Sequence, residues 1–170
     1  MRLVGGTEVR ALVTGGTGFI GSAIVRELLH AGYDVRVLVR HGSDTRNLDG
    51  LDIERVTGDI TAPASLRRAM RGCTHVFHAA ALYSFWVTVP GLIERVNVDG
   101  TRNVLQAGLE AGIERVVYTS SVAALAVPSR GEPVDESTPV DPSAIIGAYK
   151  KSKYAAQQVA LEYAAKGLPV

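Results

Sequence analysis

The segment Thr14-Gly15-Gly16-Thr17-Gly18-Phe19-Ile20-Gly21 constrains the fold of this chain more than any other. It joins a continuously apolar run, Ala11-Leu12-Val13, to a stretch with helical periodicity. Glycine at that density serves a backbone that must turn tightly and be approached closely. The early glycines allow the turn. Gly18 removes a side chain where a pyrophosphate could come near, and Gly21 lets the helix pack closely. Residues 16, 18 and 21 satisfy GxGxxG, and 15, 18 and 21 satisfy GxxGxxG. The helix start then offers unpaired N–H groups and the positive end of its dipole to phosphate. Gly15, Thr17, Gly18, Phe19, Ile20 and Gly21 are therefore the expected phosphate-loop contacts.

Beyond the loop, short apolar strands alternate with longer helical patterns. The pattern predicts strands over Arg10–Thr14, Asp34–Val39, Ile53–Thr57, His75–Ala80 and Arg115–Ser120. It predicts helices from the loop to about His30, over Ser65–Met70, Gly91–Ala111 and Gly147–Lys166, the first with an apolar face of Ile20, Ala23, Ile24 and Leu28. This order implies an α/β chain of Rossmann type, a doubly wound, mostly parallel sheet with helices on both faces. Gly167-Leu168-Pro169-Val170 reads as a helix exit into a sixth strand only begun at 168–170. The expectation is one truncated NAD(P)-binding domain over residues 1–170.

Composition narrows the function classes. The chain is 46% hydrophobic and 21% charged, enough to bury a core. Eighteen Lys and Arg against 17 Asp and Glu leave a net charge of +1. Nothing here reads as a nucleic-acid binder or a membrane span. A single cysteine, Cys73, excludes an internal disulfide and makes a cytoplasmic setting the default. His75 and His78, three apart on a strand, face opposite sides and make poor joint metal ligands, so no metal is expected.

Two features select among dinucleotides. An acid about 20 residues past the loop normally binds the ribose 2′-hydroxyl of NAD. Here that strand end carries Arg40, whose guanidinium suits a 2′-phosphate, with His41, Ser43 and Arg46 nearby. NADP is therefore expected, with NAD the alternative. Asp59, beside Ile60, can accept from an adenine amino group or close a turn. Ala79, Ala80 and Ala81 are small enough for a cofactor to lie against the sheet, or are core packing.

Tyr149 and Lys153 stand four apart on one face of the last helix. A free tyrosine, with a pKa near 10, is a poor base at neutral pH. An ammonium about 4 Å away, at an effective dielectric of about 20, favours the phenolate by roughly 4 kcal/mol, or about three pKa units. Lys153 can also hold the nicotinamide ribose. Ser121 ends a strand where parallel sheets place their ligands, and can orient a substrate hydroxyl or carbonyl.

These residues carry a resemblance. Thr14–Gly21 is similar to the TGGxGFIG loop of the extended short-chain dehydrogenase/reductase family, also described as NAD-dependent epimerase/dehydratase. His78-Ala79-Ala80 resembles its fourth-strand motif, Asn97-Val98-Asp99-Gly100-Thr101 its central-helix signature, Tyr118-Thr119-Ser120-Ser121 its serine segment, and Tyr149-Lys150-Lys151-Ser152-Lys153 its YxxSK. Arg40 and Val122-Ala123-Ala124-Leu125 resemble the dihydroflavonol 4-reductase branch; bacterial hopanoid-associated sugar epimerases look closest. The resemblance implies hydride exchange between a nicotinamide and a small-molecule substrate carbon. Tyr149 would act as acid/base, Lys153 would lower its pKa and Ser121 would hold the oxygen. A nucleotide-sugar epimerase or dehydratase using bound NAD, and a cofactor-binding module without turnover, are the alternatives. It also implies that the C-terminal substrate region is missing, substrate determinants in that region and in the Leu82–Val89 loop, and a possible homodimer through the helices of residues 91–111 and 147–166.

Overall fold

The computed structural model describes residues 9–84, 89–126, 128, 131 and 133–170. Five strands, β1 (Arg10–Thr14), β2 (Asp34–Val39), β3 (Glu54–Thr57), β4 (His75–His78) and β5 (Arg115–Tyr118), form one parallel sheet in the order β3-β2-β1-β4-β5. Every connection crosses over, which a parallel sheet requires. β3 begins at Glu54 rather than Ile53, and β4 and β5 end at His78 and Tyr118, short of the expected Ala80 and Ser120; Ala79 and Ala80 instead line a crevice above the sheet.

The central strands are apolar on both sides because both faces are covered. Leu12 packs with Leu66, Met70, Val104, Leu105 and Val159 on one face. Its neighbours Ala11 and Val13 pack with Val25, Val35, Val37 and Leu48 on the other. Helices α2 (Pro63–Ala69), α4 (Gly100–Ala111) and α5 (Ala148–Ala165) cover the first face, and α1 (Phe19–His30) the second. Arg36, inside β2 and buried, donates from Nη1 to the carbonyls of Ala69 and Arg71, both at 2.7 Å. It thereby caps the end of α2 with a cation.

Two expectations need correction. The inward face of α1 is Gly21, Ser22, Val25 and Leu28; Ile20 and Ala23 are exposed. The cause is Gly21: a Cβ there would stand 2.0 Å from the Gly15 carbonyl oxygen, so this residue must face the loop, and that fixes the helix rotation. The helix expected over Gly91–Ala111 runs unbroken over Leu92–Ala111, but with a wide π-turn at Arg95–Asp99 between α3 (Leu92–Glu94) and α4 that its pattern did not predict. Single π-turns of this kind cluster at functional sites. At the far end, the Pro169 carbonyl accepts from Val116 N–H at 2.8 Å, and Leu168 is buried.

Candidate functional site

The strand order reverses between β1 and β4, and a crevice opens beyond their carboxyl ends. It encloses about 270 Å³. Of the residues expected to hold a cofactor, Gly15, Thr17, Gly18, Arg40, Asp59, Ile60, Ala79, Ala80 and Ala81 line it. Phe19 and Ile20 stand on the first turn of α1, 87% and 54% exposed, and Gly21 lies beneath the loop.

The loop is shaped by absent side chains. Gly15 holds φ +75°, and a Cβ there would come within 2.6 Å of the Ala80 nitrogen. This backbone contact seats the loop on the end of β4. A Cβ at Gly18 meets only the Gly15 oxygen, at 3.4 Å, so that position is open to a ligand. Gly18 is also the N-cap of α1 and supplies no side-chain cap. The first-turn N–H groups are thus left for an anion. An open cradle and an uncapped helix start, with small residues at the end of β4, fit the pyrophosphate of a dinucleotide.

Around the cleft the polar residues divide. Ser43 lines it beside Arg40. Arg46 does not; it is held in a two-pronged ion pair by Asp44. His41 is exposed and off the lining. Asp59 combines both of its readings: Oδ1 accepts from the Thr61 N–H and hydroxyl, each at 2.8 Å, while the residue lines the cleft.

Beside the end of β5, Lys153 is 3% exposed. Its Nζ donates to the Tyr118 hydroxyl at 3.0 Å and the Thr119 carbonyl at 2.9 Å. Burial pulls its pKa down to about 8 and pushes that of Tyr118 up to about 12. Tyr149, half-buried, packs edge-on against the Tyr83 ring with centroids 4.7 Å apart. No hydrogen bond joins Tyr149 to Lys153 among the described residues; the ammonium is turned toward Tyr118. Ser121 caps a short 3-10 turn (Val122–Ala124), its Oγ accepting from Ala123 N–H at 3.1 Å. Its neighbour Ser120 is tied to Gln157 on α5.

A buried polar chain beneath these groups was not legible in the sequence. The Thr101 hydroxyl donates to the Asn97 carbonyl at 2.6 Å, so it accepts from His78 Nε2–H at 3.0 Å. His78 Nδ1 then accepts from the Thr14 hydroxyl at 2.6 Å. Burial, with the Lys153 charge adding, lowers the His78 pKa to about 3 and keeps the ring neutral. His75 faces away, against Thr74 and the Tyr33 ring. Asn97, on the π-turn, accepts from Leu82 N–H at 2.7 Å and donates to the Leu82 carbonyl at 3.0 Å and Ser152 Oγ at 2.9 Å. Ser152 donates to the Tyr149 carbonyl. One amide thus joins the loop after β4 to the helix carrying Tyr149 and Lys153. The motifs that carry the family resemblance contain His78, Asn97, Thr101 and Ser152, but not the bonds between them; the asparagine in a helix interior added a further signal, since that residue type disfavours regular helix. Residues 85–88 of the Leu82–Val89 loop lie outside the described residues. Among the described residues no cluster of His, Cys, Asp or Glu is placed to hold a metal, and no helix is long and apolar enough to cross a membrane.

Fold and crevice together define a Rossmann-type dinucleotide-binding domain. Residues 11–170 match the NAD dependent epimerase/dehydratase family. A Synechocystis protein provisionally named a dihydroflavonol 4-reductase is 50% identical over 155 residues, covering 91% of this chain and 45% of the relative. The crystal structure of gox2253 superposes with a TM-score of 0.89 at 48% identity, over 95% of this chain and 49% of that one. A Thermus thermophilus UDP-glucose 4-epimerase in complex with NAD superposes at 0.79 and 35% identity, over 94% and 52%. The chain belongs to the NAD-dependent epimerase/dehydratase family, within the extended short-chain dehydrogenases/reductases, whose members bind a nicotinamide cofactor. It spans about half the length of the curated relatives it matches.

Proposed function

We propose that this chain carries the cofactor site and proton-transfer residues of an NADP-dependent oxidoreductase acting on a ketone or secondary alcohol. The observation that carries the reading is a buried, cationic Lys153 on α5, one helical turn from Tyr149 and bonded to the end of β5. The nicotinamide, when bound, supplies the hydride donor or acceptor. Gly18 admits the pyrophosphate, Gly15 seats the loop that holds it on β4, and the α1 N-terminus neutralises it. Ala79–Ala81 let the dinucleotide lie against the sheet. Lys153 holds the ribose hydroxyls and, as an ammonium, favours the Tyr149 phenolate. Tyr149 gives or takes the hydroxyl proton at its phenolic oxygen, and Ser121 Oγ orients the substrate oxygen. Ser121 is suited to this because its hydroxyl hydrogen has no acceptor among the described residues.

Arg40 supports NADP. It lines the cleft at the end of β2, forms no ion pair among the described residues, and no acid stands at that strand end. The likeness to the NAD-bound epimerase supports a second reading, a nucleotide-sugar epimerase using bound NAD. Calorimetric titration with NADPH and NADH separates the two. Tighter NADPH binding that Arg40→Asp reverses is expected; tighter NADH binding overturns the NADP assignment. Tyr149→Phe is expected to spare cofactor binding and cut ketone turnover at least about 100-fold. Retained turnover overturns the acid/base role.

A further inference from the structure

We propose that Tyr118 is a positioning residue: its phenol oxygen fixes the Lys153 ammonium and keeps it charged while Tyr149 exchanges a proton. The inference rests on the acid/base reading above and adds a residue to it.

The geometry is direct. Tyr118 ends β5 and Lys153 lies on α5, 35 residues later, yet Nζ and the phenol oxygen are 3.0 Å apart. The same Nζ lies 4.7 Å from the Tyr118 ring centroid. Two of the three ammonium hydrogens are engaged on one side, by Tyr118 and the Thr119 carbonyl. The third has no acceptor among the described residues. With Lys153 only 3% exposed, water contributes little to solvating its charge.

The groups around Lys153 give that charge no other support. From β5 come the Tyr118 phenol and the Thr119 carbonyl; from β4 comes His78, a neutral ring 5.7 Å from that of Tyr118; from α5 comes Tyr149. No carboxylate pairs with Lys153 among the described residues. Burial alone brings the lysine down to about 8, so small losses of support discharge it near working pH. Tyr118, raised to about 12, stays a neutral phenol and holds the ammonium through an oxygen lone pair rather than a counter-charge. A carboxylate there would bind more tightly, but would also repel the developing Tyr149 phenolate. A phenol holds the cation without cancelling its effect.

The test uses the intact chain, which has only four lysines, Lys150, Lys151, Lys153 and Lys166, all exposed but Lys153. Lysine labelled with ¹³C at Cε therefore gives four resonances to follow against pH. Wild type is expected to show one lysine titrating near 8. In Tyr118→Phe, which keeps the ring and removes the oxygen, it should titrate about one unit lower, with the other three unmoved. The alkaline limb of turnover should move down by the same amount. An unmoved Lys153 titration in folded Tyr118→Phe overturns the inference without touching the acid/base reading, because the titration needs no turnover. A moved lysine with an unmoved turnover limb overturns the acid/base reading instead. Should Tyr118→Phe fail to fold, fluorine beside the Tyr118 hydroxyl weakens it as an acceptor with little change of shape. A smaller shift in the same direction is then expected, and none overturns the inference.

Discussion

Between Thr14 and Gly21 the chain makes its site by deleting side chains; around Lys153 it makes one by burying them. The phosphate loop is backbone against backbone, Gly15 on Ala80 and Gly21 beneath Gly15, with one open position at Gly18. Its parts lie within eight residues of one another except where the loop rests on β4. The opposite end joins His78, Asn97, Thr101 and Ser152 in one chain, and Tyr118 to Lys153 beside it, through hydrogen bonds between residues up to 55 apart. No buried side-chain polar atom is left without a partner among the described residues. A loop made by absence tolerates no added atom. A buried polar cluster tolerates change only while each donor keeps an acceptor and each charge stays supported.

That contrast can be broken most severely at Gly21. Gly21→Ala places a methyl 2.0 Å from the Gly15 carbonyl oxygen, a backbone atom that cannot yield without the loop moving. It should cost more than about 4 kcal/mol of stability by urea melts. Gly18→Ala, with 3.4 Å to its nearest neighbour, should fold within about 1 kcal/mol of wild type and still bind dinucleotide at least about tenfold more weakly. If the two variants lose stability equally, the loop is not built as described.

Acid tests the buried chain next. His78 accepts a proton near 6.5 when unfolded and only near 3 when folded, so the unfolded state binds more protons between those values. Stability should be full above about 6.5 and fall as pH drops toward 3, by roughly 5 kcal/mol in all. His78→Gln, which keeps one donor and one acceptor, should flatten that limb. A limb unchanged in the variant assigns acid sensitivity to the carboxylates.

Lys153 gives the smallest effect and the opposite trade. Unfolded it stays protonated to about 10.5, folded only to about 8, so stability should rise with pH across that window. Lys153→Met should remove the rise and stabilise the chain at pH 7 by about 2 kcal/mol. That is less than the roughly 3 kcal/mol of the shift, because Thr119 loses its donor. A destabilised Lys153→Met would make the lysine a structural residue rather than a functional one held at a cost.

The strands and the glycine loop were legible because their signals are local: apolar runs, helical periodicity, and glycine where a backbone must be approached. Arg40 and Asp59 were legible as cleft residues because the second and third strands of such a sheet end at one level. The rotation of α1 was not, since Gly21 set it by contact with Gly15 rather than by hydrophobic count. Nor was the π-turn, because Asn97 distorts its helix to reach Leu82 and Ser152, which only the folded chain brings near.

The sequence by itself determined a parallel α/β sheet, a phosphate loop at its first turn, and a tyrosine and lysine one helical turn apart. Only the tertiary structure decided where the lysine points. Its four-residue spacing from Tyr149 made them neighbours on a helix face, but the burial of α5 against β5 supplied the Tyr118 hydroxyl and Thr119 carbonyl that the ammonium bonds instead. Spacing along a helix sets which side chains share a surface. A charge taken out of water turns to the best acceptors it meets there, and those came from another strand.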